Sequence, residues 1–394
     1  MNENKNLFSV NVTVNGKKIK SKGMVKDAII LAGVKTSHLF HDSHPCTFDT
    51  SKSEVFIPCN SGACWACMVK INGRPAVSCI TPLSEGMEIN TFSSINHPLR
   101  ILSGFGLHTV GGVGTPYPLK KNKKPIEVVG FTHGCNLVCP QCQNDKVAFT
   151  QEGNLLDAEE TAQILLGLHS VNDVNTITFS GGESTLNRPW LIKAVKSIRN
   201  ADKEINIHID TNGTVLTQCY IDELINAGMN QIGIDLKGIR LATFQKITGL
   251  GETELARKLL NNSWGAVKYI LEEYDVEYPL ENMLNPNSKN SSDSNIIIEN
   301  KKTQNSIKKP KIFLGIGIPY NKSLISKKEI KEIGNTIKNI DSKVQVSVLD
   351  YRPAFRKKEL EKPTFEEMID VKNILNGQGL ENVIVQTEKG HFGP

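Results

Sequence analysis

Two rhythms of apolar residues divide the chain. Up to about residue 90, apolar and polar positions alternate in short runs: residues 8–14 read as a strand, Asn15-Gly16 as a hairpin turn and residues 17–20 as the start of the return strand. Residues 25–33 carry helical spacing, and Asn72-Gly73 marks a second hairpin between Cys67 and Cys79. From Ile126 onward the rhythm becomes one of apolar strands, at residues 126–131, 176–179, 205–209, 231–236, 312–318 and 344–349, separated by helical stretches. Asp157 with Glu160, Ser326 with Glu329 and Thr364 with Glu367 are spaced as capping boxes that start three of those helices. Repeated right-handed βα units of this number predict an α/β fold, a parallel sheet curled into a full or partial TIM-like barrel, with chemistry at the carboxyl ends of its strands.

The expected domains are residues 1–90, small and β-rich; 91–125, a linker; and 126–394, the barrel. The linker is read from Gly104, Gly106, Gly111, Gly112, Gly114, Pro116, Pro118 and the lysine-rich run 120–124. Those glycines could instead cradle a phosphate, but no clear strand precedes them. Residues 278–309, rich in Asn, Ser and Lys, read as a disordered insertion in the barrel.

Composition narrows the function classes. With 394 residues, 39% hydrophobic and 22% charged, the chain has the make-up of two or three globular units and not of a disordered protein. The net charge of +5, from 46 basic against 41 acidic residues spread along the chain, is too small to argue for a nucleic-acid partner. No apolar run approaches the roughly 18 residues that span a bilayer, and residues 1–7 lack the apolar core of a signal peptide, so no membrane partner and a cytoplasmic location are expected.

The cysteines change the picture most. There are nine, and seven fall into two tight groups. In a reducing compartment such clustering points to metal or catalysis and not to disulfides. Cys59, Cys64 and Cys67 are spaced by four and two residues, and Cys79 follows after eleven more. That spacing matches plant-type two-iron ligation, with small residues Ser61, Gly62, Ala63 and Ala66 to let the loop wrap a cluster. The alternative, a structural zinc site, uses tighter knuckles. Residues 58–83 resemble the ferredoxin-like β-grasp domain of the iron-sulfur subunits of succinate dehydrogenase and fumarate reductase. The resemblance implies a 2Fe-2S cluster on Cys59, Cys64, Cys67 and Cys79 that passes single electrons.

Cys135, Cys139 and Cys142 follow the first barrel strand with three and two residues between them, one ligand short of a full set for a 4Fe-4S cluster. Three cysteines with His133 around zinc is the other reading of the same residues. The loop 134–144 resembles the signature of radical S-adenosylmethionine (SAM) enzymes. Ser180-Gly181-Gly182-Glu183 resembles the segment where that family holds the methionine amino group of SAM. Asp210-Thr211-Asn212-Gly213 and Asp235-Leu236-Lys237 resemble strand ends of the glycyl-radical-enzyme activating enzymes. The resemblance implies that Asp210, Thr211 and Asp235 hold a monovalent cation beside the methionine carboxylate. Two departures stand out: Gln141 replaces an aromatic residue common before the last cysteine, and the strand at 312–318 lacks the arginine activases tend to carry.

The resemblance implies an anaerobic oxidoreductase that cleaves SAM reductively at a 4Fe-4S cluster. The resulting 5′-deoxyadenosyl radical abstracts hydrogen, from a protein or peptide in the activase-like reading, and the 2Fe-2S domain relays electrons from an external donor. Two alternatives remain open at this stage. One is a protein methyltransferase acting on an enzyme such as methyl-coenzyme M reductase, although no separate cobalamin-binding domain is visible. The other is a non-catalytic two-cluster electron carrier. No residue is assigned to substrate-side catalysis. Weaker candidates are His38, His41, His44 and Cys46, read as solvated loop residues and not a metal site; Cys219, on a helix at 216–227; and Asp350, Tyr351 and Arg352, which could face substrate or close the barrel with an ion pair.

Overall fold

The computed structural model describes residues 8–39, 54–92, 97–121, 124–278 and 310–394. His41, His44, Cys46 and nearly all of the expected insertion at 278–309 lie outside them.

The amino-terminal part contains β1 (Val10–Val14), β2 (Lys17–Ser21), α1 (Val25–Leu31), β3 (Lys35–Ser37), β4 (Glu54–Phe56), β5 (Met68–Ile71), β6 (Arg74–Val77) and β7 (Glu88–Asn90). Both predicted Asn-Gly hairpins are present, with Asn15 and Asn72 at φ +48° and +49°. Five strands form one sheet in the order β2-β1-β7-β5-β6, with β1 and β7 parallel. The buried side of α1, Val25, Ala28 and Ile29, packs with Val12, Val14, Val69 and Ile89 of the sheet into one small core that also holds Cys67 and Cys79.

The larger part runs β8 (Leu99–His108), α2 (Tyr117–Lys120), β9 (Glu127–Thr132), α3 (Asp145–Phe149), β10 (Asn154–Asp157), α4 (Ala158–Asn172), β11 (Thr176–Gly181), α5 (Arg188–Ala201), β12 (Asn206–Thr211), α6 (Gln218–Ala227), β13 (Gln231–Asp235), α7 (Leu241–Thr248), α8 (Thr253–Glu273), β14 (Asp275–Val276), β15 (Lys311–Tyr320), α9 (Lys327–Ile340), β16 (Gln345–Asp350), α10 (Phe365–Asn376), β17 (Val383–Thr387) and β18 (Gly390–Phe392). Its sheet order is β10-β8-β9-β11-β12-β13-β15-β16-β17-β18. All pairings from β9 through β17 are parallel, and the antiparallel strands stand at the two ends. The end strands β10 and β18 do not pair with one another, so among the described residues the barrel is partial. Every predicted barrel strand is found within a residue or two of its expected ends, because strands buried on both faces leave an unbroken apolar signature.

Two expectations change. Residues 91–125 are not merely a linker: β8 is a ten-residue strand that pairs with both β9 and β10, and the glycine segment after it lies across the barrel interior. A Cβ on Gly112 would stand 1.9 Å from an oxygen of Asp210, and one on Gly114 2.4 Å from the backbone of Ile232, so these glycines serve close packing and not mobility. The same strap crowds β15. A Cβ on Gly315 would stand 2.1 Å from the Val113 carbonyl, leaving no room there for a long side chain. The capping boxes of Asp157 and Thr364 form as expected. At Ser326 only half of one forms, because the Glu329 carboxylate turns to the backbone N–H groups of Ile239 and Arg240 and to the Thr243 hydroxyl.

Among the described residues no helix is long and apolar enough to cross a membrane.

Candidate active site at the barrel mouth

The carboxyl ends of β9, β11, β12, β13 and β16 open on a cavity of about 260 Å³. Its wall carries Cys135, Cys139 and Cys142 from the loop after β9, Gly181 and Gly182 from β11, Asp210 and Thr211 from β12, and Asp235 from β13. Residues from four separated strand ends, singled out by sequence, thus meet around one space. A parallel sheet produces that convergence, since every βα loop emerges on the same side.

Glu183 is the exception. It is buried, away from the cavity wall, where its carboxylate accepts from the Thr185 N–H (3.0 Å) and hydroxyl (2.5 Å), the Thr211 hydroxyl (2.6 Å) and the Asn212 N–H (2.7 Å). With its oxygens engaged by four donors, it positions the end of β12.

The three thiols of the barrel loop sit among groups that disfavour a bare thiolate. Burial, reinforced by Cys139 and Glu183, pushes the Cys135 thiol up; burial lifts Cys139 to about 11 against the pull of Lys237 and also raises Cys142. Three such sulfurs facing one cavity become stable thiolates only beside a strong positive centre, which is the chemistry of an iron-sulfur ligand set. The ferredoxin-type group is closer-knit. Cys59 is within hydrogen-bonding reach of Cys64 and Cys79, and Cys67 of Cys79. Cys64 is pushed up by burial and by Cys59, and Cys79 by Cys59 and Cys67. Four sulfurs so close share protons unless a cationic core replaces them. The loop that brings them together holds Asn60, Gly62 and Trp65 at positive φ, +50°, +74° and +57°, and for a bulky Trp that is a strained conformation fixed by its surroundings.

The two cysteine loops touch. Gly134, at φ +89°, lies against Cys64 so closely that a Cβ on it would stand 2.8 Å from the Cys64 nitrogen. The Asn187 amide donates to the Cys64 carbonyl (3.1 Å) and the Leu99 carbonyl (2.9 Å), and Gln151 donates to the Ser61 carbonyl (2.9 Å). Phe56 and Cys64 from one part share a small buried cluster with Leu186 and Val215 from the other.

Around the two aspartates the structure supplies its own cations. Lys237 Nζ lies 3.4 Å from Asp235 and donates to the Tyr351 hydroxyl at 3.2 Å. His208 Nε2 lies 3.0 Å from Asp210, which also accepts from the Val113 N–H at 3.1 Å. Burial pulls the His208 imidazole down, but Asp210 and Glu127 outweigh it and hold the group at about 9. Charge that the resemblance assigned to a monovalent cation is met in part by these side chains.

Several of these residues escaped the sequence reading. Glu127 and His208 lie inside apolar strands, where a lone charged residue was the available signal; Lys120, placed in the linker, reaches the cavity, where burial lowers it to about 8 against Asp210 and Glu127. Gln386 and His391 also line the wall. His133 turns away, to the Ser103 hydroxyl (2.8 Å) and the Thr150 carbonyl (3.0 Å). The Gln141 side chain is buried and donates to the Ile247 carbonyl (2.7 Å). Tyr351 lines the cavity, whereas Asp350 and Arg352 form a two-bond ion pair (3.0 and 3.2 Å). His38 is exposed and bonds the Ile57 carbonyl, and Cys219 is buried on α6.

Residues 129–262 match the radical SAM superfamily, and residues 9–94 match a 2Fe-2S iron-sulfur cluster binding domain. Fe-coproporphyrin III synthase of Methanosarcina barkeri is 33% identical over 147 residues, 36% of this chain and 34% of that protein. GTP 3′,8-cyclase of Alkaliphilus metalliredigens is 30% identical over 125 residues, 32% of this chain and 38% of that one. The chain thus spans little more than a third of the length of these curated relatives. Streptococcus suis SuiB bound to S-adenosylmethionine aligns over 69% of this chain and 53% of its own, at 17% identity and a TM-score of 0.42. The chain carries a radical S-adenosylmethionine domain, which uses a 4Fe-4S cluster and S-adenosylmethionine, behind an amino-terminal 2Fe-2S ferredoxin-like domain.

Proposed function

We propose that this protein cleaves S-adenosylmethionine reductively at the barrel mouth and uses the product to abstract hydrogen from a protein or peptide, with electrons entering through the ferredoxin-like domain. Cys135, Cys139 and Cys142 hold the 4Fe-4S cluster and leave one iron open. Cys59, Cys64, Cys67 and Cys79 hold the 2Fe-2S cluster. When bound, the open cluster and the nucleotide supply a 5′-deoxyadenosyl radical, chemistry that no side chain provides.

The chain's own residues bind and orient. Gly181 and Gly182, without side chains, let the methionine end approach the backbone, and Asp210, Thr211 and Asp235 line the same wall, with the two aspartates balanced by His208 and Lys237. Glu183 fixes Thr211 and Asn212 so that this wall is set before the nucleotide arrives. On this reading the protein is cytoplasmic, since both thiolate sets need a reducing compartment, and it takes single electrons from an external low-potential donor.

The observation that carries the proposal is the contact of Cys64 with Gly134, one residue before Cys135, which places the two cysteine sets on either side of a shared backbone seam. A carrier without catalysis has no use for a 260 Å³ cavity behind three thiols. The test is anaerobic: reconstituted protein with S-adenosylmethionine and a reduced one-electron protein donor should release 5′-deoxyadenosine. Intact, reducible clusters that give no cleavage would leave the carrier reading in its place. A peptide substrate should accelerate that release and emerge altered in mass, whereas acceleration only by small metabolites would overturn the peptide reading while sparing the cleavage chemistry.

A further inference from the structure

Arg100, near the start of β8, is fully buried at the seam between the two cysteine loops. One terminal nitrogen donates to the Ser184 carbonyl (2.6 Å), and the other to the carbonyls of Glu183 (2.6 Å) and His133 (3.2 Å). Its Nε has no partner, and the guanidinium carbon lies 5.8 Å from the centre of the Trp190 ring. These partners are dipoles and not a counter-ion, for the Glu183 carboxylate is spent on four other donors. A buried guanidinium without a paired anion is costly, so negative charge placed near it is stabilised by it.

The ferredoxin-type loop lies beside it: Gly134, which follows the His133 carbonyl that Arg100 holds, packs against the Cys64 backbone, and a 2Fe-2S centre on that loop would bring the negative charge. The carbonyls that Arg100 holds belong to His133, which precedes Gly134, and to Glu183, whose own N–H donates to the Gly134 carbonyl at 2.8 Å. Asn187 ties Leu99, the neighbour of Arg100, to Cys64. One guanidinium therefore braces the barrel loop, and its strand is tied through Leu99 and Asn187 to the Cys64 carbonyl of the ferredoxin-type loop.

Resting on the relay reading above, we propose that Arg100 is a positioning residue for electron transfer: a fixed positive charge that raises the reduction potential of the 2Fe-2S centre so that it can be filled while docked on the barrel loop. The step is a bare electron transfer. A low-potential one-electron reductant is oxidised as the two-iron centre is reduced; that centre is then oxidised as the barrel centre gains the electron, and no proton moves. Each electron that arrives makes the two-iron centre more negative, and a cation in a low-dielectric seam opposes that penalty more than a solvated one would.

The test is a redox titration of the full, cluster-loaded protein, following the EPR signal of the reduced two-iron centre without S-adenosylmethionine. Arg100→Gln should move the midpoint to more negative potential, and Arg100→Lys, which keeps the charge, should lie closer to wild type. Where Arg100→Gln fails to load its clusters, Asn187→Asp puts a carboxylate on the same seam and should lower the midpoint likewise. Loaded variants that titrate with the wild type would reduce Arg100 to a strut and overturn the proposal. Because no turnover is involved, the relay itself can fail, with the two-iron signal persisting after S-adenosylmethionine is added, while this shift still appears.

Discussion

The two cysteine groups use the same ligand atom for opposite ends. In the ferredoxin-like loop, four sulfurs crowd together beneath a wrap of Ser61, Gly62, Ala63 and Ala66, with Cys64 fully buried and Cys67 and Cys79 nearly so. In the barrel loop, three sulfurs face a cavity whose other walls include aspartates, glycines, two lysines and a tyrosine. A closed thiolate set can only hold or pass an electron, whereas an open set beside a polar cavity can pass it to a bound molecule. The difference lies less in the metal chemistry than in which strand ends surround it.

The largest effect should come from breaking one group and sparing the other. Cys139→Ala is expected to abolish 5′-deoxyadenosine formation with any reductant while leaving the two-iron spectrum unchanged; residual cleavage would mean that Cys139 is no ligand. Cys67→Ala should have the converse effect, with turnover lost when a protein donor drives it but kept with dithionite. Equal loss under both reductants would make the amino-terminal centre structural only.

Pushing the two groups apart should cost less. Gly134→Ala forces a Cβ to within 2.8 Å of the Cys64 nitrogen at a φ of +89°, so about 1–3 kcal/mol of stability should be lost, seen as a lowered denaturation midpoint. Donor-driven turnover should fall further than dithionite-driven turnover; a variant as stable as wild type would mean that the seam yields freely. On the cavity side, Lys237→Met removes the cation beside Asp235, and nucleotide affinity by calorimetry should weaken about tenfold, or about 1.4 kcal/mol. If added potassium restores that affinity, a cation can replace the ammonium, and unchanged affinity would show the ammonium to be idle.

The smallest expected effect is one of pH. His208 is held near 9, above the ordinary imidazole value of about 6.5. Its charged form is favoured by the fold, so its contribution is complete below about pH 6.5 and is lost as pH rises toward 9. The thermal midpoint of loaded protein should therefore decline over that window, and His208→Gln should flatten the decline. An equally steep fall in that variant would assign the effect to other groups.

The sequence was most legible where burial and ligation impose strict patterns. Barrel strands buried on both faces must be apolar, so their positions could be read, and cluster ligands must be cysteines at loop-compatible spacing. What stayed hidden depends on contacts between distant segments. Gly112 and Gly114 carry the signature of a flexible connector, yet they are glycines because Asp210 and the backbone of Ile232 and Gly233 leave no space for side chains. Arg100 and Lys120 fell inside the stretch read as a linker because nothing local in the sequence marks a strap or a seam. Glu183 was legible as important but not as to direction, since its four donors come from two strand ends brought together only by folding.

The most direct test of the account follows one electron. Protein carrying both clusters is reduced, freed of excess reductant and mixed anaerobically with S-adenosylmethionine, while the EPR signal of the two-iron centre and the 5′-deoxyadenosine formed are recorded together. The account predicts that the signal decays as the nucleoside appears, with one electron lost for each molecule released. Nucleoside formed while the two-iron signal stays constant would contradict it.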